Sequence, residues 1–150
     1  MASELETLLE RTRIVDTITR LFVATDRRDW TAVKECFAPQ VLFDMSSMGA
    51  GEAKSLTPGD IVAAWEAGLG PLKAIHHQAG NFLVRVDGAR AEASCYGIAS
   101  HYLPNKTGRN TRTFVGSYDF RLAKDGEAWH IDRFRFNLKY VDGNPELEKS

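Results

Sequence analysis

Along the first quarter of the chain, apolar residues recur at three- and four-residue steps: Leu5, Leu8, Leu9, Ile14, Val15, Ile18, Leu21 and Phe22. That period predicts one long amphipathic helix. Ser3 followed by Glu6 makes a capping box at its start, and the stripe carries it to about Asp26. Asp26 falls four residues after Phe22 on the same stripe, so its carboxylate points inward, where it must be paired, hydrogen-bonded or left protonated. Asp29 caps a second, short helix predicted over Trp30–Phe37, which Pro39 ends, and Val41–Asp44 reads as a strand. The small, polar, Gly-rich run Ser46–Lys54 predicts a mobile connection, a candidate lid at a pocket mouth. Thr57, Pro58 and Asp60 then open a helix over Pro58–Leu69 with Ile61, Val62, Trp65 and Leu69 inward.

From Leu72 onward the period changes from helical to alternating. Asp87-Gly88 and Asp125-Gly126 are tight hairpin turns and Asn105–Arg109 a looser one, so Asn81–Val86, Ala89–Leu103, Thr111–Leu122 and Trp129–Tyr140 are expected to form an antiparallel meander. Helices first and strands afterwards define an α+β chain, with residues 1–150 forming one domain. On the second strand Ala91, Ala93, Cys95, Gly97, Ala99 and His101 share one face, and a face of small side chains leaves room for packed helices or a cavity into which His101 looks. On the last strand, plain alternation puts Phe134 and Phe136 on one face and Trp129, Ile131, Arg133 and Arg135 on the other. Apolar residues on both faces predict a homodimer or homotrimer built through the sheet.

A hydrophobic content of 43%, 26% charged residues and a formal net charge of −1 are those of a soluble globular chain, and they argue against a nucleic-acid or anionic-membrane surface. The N-terminus has neither the basic start nor the apolar block of a signal peptide, which predicts a cytoplasmic protein. Cys36 and Cys95 are then expected as buried free thiols. Four scattered histidines and two isolated cysteines lack metal-site spacing, so no metal is expected.

Three blocks carry a family resemblance: ATDRRDWTAVKECFAPQVLFD at 24–44, HHQAGNFLVRVDGARAEASCYG at 76–97 and GSYDFRLAKDGEAWHIDRFRFNLKYVDGN at 116–144. With the step from His77 to Asn81 before a VDG turn, they resemble the SnoaL-like branch of the nuclear transport factor 2-like superfamily. The resemblance implies a cone of three N-terminal helices packed on a curved antiparallel sheet. It also implies that Asp26 and His77 match the Asp–His general-base pair of branch members such as scytalone dehydratase and hexachlorocyclohexane dehydrochlorinase. His101 matches a second histidine of the dehydratase, while Thr25 stands where that enzyme has a tyrosine. Where the dehydrochlorinase has a lysine, the corresponding turn offers Leu21 and Phe22 with only Arg20 nearby, which disfavours dehalogenation. Its last-strand arginine corresponds to Arg133 or Arg135, although a buried Phe134–Phe136 face puts both arginines outside.

The expected activity is a cofactor-independent lyase or isomerase of the dehydratase kind. His77, oriented by Asp26, acts as base on a small, apolar, cyclic substrate, with His101, Arg133, Asn81, Tyr118, Trp65 and Met45 as substrate contacts. Each residue also has a plainer account. Asp26 can pair with Arg27 or Arg28, His76 can be the inward histidine if the register slips by one, and the aromatic residues can be ordinary core. The same fold serves polyketide cyclases, non-catalytic ligand-binding or dimerisation modules and the small subunits of ring dioxygenases, so fold alone does not choose among these.

Overall fold

The structure, a computed structural model, describes residues 2–150. Helix α1 runs over Glu4–Asp26, opened by the reciprocal Ser3–Glu6 box, and buries Ile14, Thr17, Ile18, Leu21, Phe22, Ala24 and Thr25. Leu5, Leu8 and Leu9, expected on the buried stripe, are exposed. Asp29 caps α2, which spans Trp30–Glu35 and gives way at once to strand β1, Phe37–Asp44. The second helix is thus shorter, and the first strand longer, than the sequence pattern predicts. Pro39 is tolerated because β1 is irregular between Phe37 and Leu42, where its register against its neighbour shifts. A single 3-10 turn at Ser46–Met48 follows, then the short β2, Lys54–Leu56, and α3, Pro58–Leu69, with a second reciprocal capping box between Thr57 and Asp60.

The remaining strands are β3 (Ala74–Asp87), β4 (Arg90–Tyr102), β5 (Thr111–Asp125) and β6 (Ala128–Gly143). They pair in the order β2-β1-β6-β5-β4-β3. Every neighbour is antiparallel except β1 and β6, which run parallel, so the sheet is mixed rather than the simple meander that the turns suggest. Three helices against a six-stranded, curved, unclosed sheet make an α+β cone. No helix among the described residues is long and apolar enough to cross a membrane.

Two bulges decide which side chains face the helices. The register of β3 against β4 shifts between Gly80 and Leu83, and Asn81 adopts a left-handed φ of 57° there. Ile75, His77 and Ala79 point inward before the shift, Phe82, Val84 and Val86 after it. On β6 the register slips again, Leu122 facing Ile131 while Arg121 faces Arg133. The extra residue, Asp132, changes the phase, so Trp129 and Ile131 are buried on the same side as Phe134 and Phe136. The expectation of apolar residues on both faces of β6 is therefore corrected: one face takes all four. On β4, by contrast, alternation is unbroken, and Ala91, Ala93, Cys95, Gly97, Ala99 and His101 are all buried. Cys36 and Cys95 are buried free thiols whose pKa values burial pushes up to about 11 and about 12.

Candidate active site

Helix α1 ends with Asp26 beside the start of β3. The Asp26 carboxylate takes two hydrogen bonds from one residue: the His77 backbone N–H donates to Oδ2 at 2.8 Å, and His77 Nδ1 lies 2.6 Å from Oδ1. A carboxylate held by a backbone donor on one oxygen presents the other as an acceptor, so the proton of the neutral ring sits on Nδ1. Nε2 then carries the lone pair, and it has no partner among the described residues. The Phe22 ring stacks on the imidazole, 5.3 Å between centroids at 18°. Arg28, a possible partner for Asp26 on sequence grounds, turns away at a left-handed φ of 56° to donate to the backbone oxygens of Leu69 and Leu72. His76 faces outward towards Gln78.

His77 edges a cavity of about 210 Å³ between α1, α3 and the sheet. Phe22, Met45, Met48, Trp65, Leu69, Ala99, Phe114, Phe134 and Phe136 give it an apolar wall, and Thr25, His77, His101 and Tyr118 supply the polar atoms. Thr25 is not free to act, since its hydroxyl donates to the Leu21 carbonyl at 2.7 Å. Tyr118 lies flat over Gly97, where a Cβ would come within 2.2 Å of its ring, and its hydroxyl has no partner among the described residues. Burial raises the Tyr118 pKa, so the hydroxyl keeps its proton. His101 is buried, and burial first, then the Arg112 charge, lowers its pKa to about 4. It is neutral at physiological pH.

Of the residues that the sequence singles out, Asp26, His77, His101, Tyr118, Trp65 and Met45 are brought together at or behind this cavity. Asn81 and Arg133 are not, and both assignments are corrected. An unbroken β3 alternation would have turned Asn81 inward with His77 and Ala79, but the bulge puts it outside beside Leu83 and Tyr96. Arg133 lies on the outer face with Arg121 and Arg135, in a more open depression of about 500 Å³. That depression is larger but weaker as a ligand site, because Arg135 and Arg121 are already bound to Asp119 and Asp132 and little apolar surface is enclosed. The Ser46–Lys54 run is tied down at its start, Ser47 Oγ donating to the Phe136 carbonyl at 2.7 Å and accepting from Leu138 N–H at 3.0 Å. Phe114 and Arg112 were missed, although they share the inward alternation of Tyr118, Phe120 and Leu122 on β5. Among the described residues, no cluster of three or more metal-ligating side chains forms.

An Asp-backed histidine thus stands at the wall of an apolar cavity inside an α+β cone of the nuclear transport factor 2-like kind. The SnoaL-like domain model matches residues 6–135, and the chain belongs to that family. Solved structures share the fold. A protein from Kribbella flavida superposes with a TM-score of 0.89 at 22% identity, covering 96% of this chain and 99% of its own. A candidate scytalone dehydratase from Novosphingobium aromaticivorans gives 0.80 at 13% identity over 92% and 89%. The hexachlorocyclohexane dehydrochlorinase LinA-type3 from Novosphingobium barchaimii gives 0.77 at 14% identity over 95% of each chain. No curated protein matches the sequence significantly.

Proposed function

We propose that this protein is a cofactor-independent lyase or isomerase of the dehydratase kind, in which His77 removes a proton from carbon and Asp26 holds it to that task. The carrying observation is the two-point clamp of Asp26 on His77, which fixes both the backbone and the ring and leaves a lone pair at an apolar cavity wall. Nε2 takes a proton from a carbon beside a carbonyl, the C–H electron pair moves into an enolate, and Asp26 stabilises the resulting imidazolium. When the enolate carries a β-hydroxyl, the C–O bond breaks, a double bond forms, and the proton held by His77 leaves with the oxygen as water. When it is conjugated instead with a β,γ double bond, return of the proton from His77 to the γ-carbon yields the isomer with its double bond shifted.

The cavity also bears on the substrate. An apolar cavity of roughly 150 Å³ accommodates benzene, so about 210 Å³ suits one substituted ring. No cationic side chain lines it among the described residues, which favours a neutral ligand and water over a halide as leaving group. A homodimer or homotrimer remains part of the proposal on different grounds from the β6 pattern: Tyr96, Ile98, Leu83 and Tyr140 are exposed on the outer face of the sheet.

The test is proton abstraction itself. Incubated with 3-hydroxycyclohexanone in deuterated water, the protein is expected to wash deuterium into the carbon beside the carbonyl and to release the enone. Neither reaction should exceed the buffer rate with His77→Ala. Exchange undiminished in that variant removes the base from the proposal.

A further inference from the structure

The second histidine has a partner of the opposite chemistry to the first. Arg112, the cross-strand neighbour of His101 on β5, places Nη2 at 3.1 Å from His101 Nδ1. A guanidinium has only donors and stays protonated, so Nδ1 must accept and the ring proton must sit on Nε2. Arg112 is itself fixed on both sides. Its guanidinium lies 5.3 Å from the centroid of Phe114, and both terminal nitrogens reach Glu148, one of them at 2.8 Å from Oε2 and the other to Oε1. Glu148 belongs to a 3-10 turn at Leu147–Lys149 whose Leu147 is fully buried against Leu72 and Ile75, beside Leu69 and Leu103. The C-terminal segment therefore reaches the far end of the cavity through one continuous chain of contacts: Leu147 and Glu148, then Arg112, then His101.

We propose that Arg112, clamped by Glu148, fixes His101 as the neutral imidazole with Nε2–H directed into the cavity, where it holds an acceptor oxygen, a carbonyl or hydroxyl, of a ligand whose carbon faces His77. Arg112 is a positioning residue and His101 the group that touches the ligand. His77 pairs directly with Ala99, two residues from His101 on the same inward face. Such diagonal neighbours stand about 7–8 Å apart at Cα, which spans one ring. One histidine then accepts a proton while the other only donates a hydrogen bond, and burial, which lowers the His101 pKa to about 4, keeps the donor neutral rather than charged. An oxygen acceptor is the feature that the apolar wall cannot select for, and His101 supplies that selection. The use of this donor in turnover rests on the function proposed above, whereas the tautomer does not.

The experiment is nitrogen-15 NMR of the whole protein labelled in its histidine rings, with His101 assigned by the loss of its signals in His101→Gln. In the wild type at neutral pH, His101 is expected to show a bare Nδ1 and a protonated Nε2, and His77 the reverse. Arg112→Met should move the proton of His101 at least partly to Nδ1. The double variant Arg112→Met, Glu148→Met, which leaves no unpaired carboxylate behind, should do the same if the single variant folds poorly. Added cyclohexanone should shift the His101 Nε2–H signal in the wild type and lose that effect in either variant. A wild-type His101 protonated on Nδ1, a tautomer indifferent to loss of Arg112, or no response of Nε2–H to cyclohexanone overturns the inference. A His77 protonated on Nε2 in the same spectrum would instead sink the general-base reading and leave the His101 assignment standing.

Discussion

At the scale of single residues, the site rests on what stands behind each imidazole. Asp26 behind His77 can only accept, so Asp26→Asn offers an amide N–H to Nδ1 and turns the ring to the wrong tautomer. Both Asp26→Asn and His77→Ala are expected to lower turnover by about 10²–10⁴-fold, and the double variant by little more, because the pair works as one unit. Additive losses in single-turnover rates, with thermal midpoints measured alongside, would separate their roles. His101 leads to a prediction about pH and stability. Its value falls from 6.5 to about 4 on folding, with Arg112 and His77 adding to the effect of burial and Glu148 and Asp26 opposing it. Between those values the unfolded chain binds a proton that the native state refuses, so this contribution is whole above pH 6.5 and declines as pH falls towards 4. The loss is roughly 3 kcal/mol at about 1.4 kcal/mol per tenfold change in proton activity. Urea midpoints followed over that range should show the decline in wild type, and His101→Gln should flatten it.

At the scale of elements, the alternation of small residues on β4 was legible because that strand has no bulge, and it led directly to His101. Asn81 and Arg133 were misplaced for the opposite reason: one extra residue on β3 and one on β6 reverse the phase, and only the first, beside Gly80, has a glycine to announce it. The helix caps were legible because Ser3–Glu6 and Thr57–Asp60 are local chemistry, whereas the Arg112–Glu148 pair joins β5 to the C-terminal turn and leaves no local trace. Gly97 gives this scale its own prediction. A methyl group there meets Tyr118 at 2.2 Å, so Gly97→Ala should push the ring into the cavity. The expected cost is about 1–3 kcal/mol in stability, as for other overpacked cores, together with weakened binding of cyclohexanone. Unchanged thermal midpoint and affinity would mean that the tyrosine moves freely.

At the scale of the whole molecule, the outer face of the sheet is divided between ion pairs, such as Arg135 with Asp119, and the exposed apolar group of Leu83, Tyr96, Ile98 and Tyr140. A homodimer or homotrimer is expected in sedimentation at micromolar concentration, and Ile98→Lys should shift it towards monomer with little change in fold; a wild-type monomer would rule out the assembly. The parallel pairing of β1 with β6 has a consequence for biosynthesis. Until the last strand has left the ribosome, β1 has only the short β2 as a neighbour, whereas α1 can already lie on β3 and β5 through Asp26 and Phe22. A nascent chain held anywhere before Ala128 therefore leaves the β1 edge, with Phe37 and Val41, without the parallel partner that covers it in the finished sheet, and it is this edge that waits longest for its neighbour during synthesis.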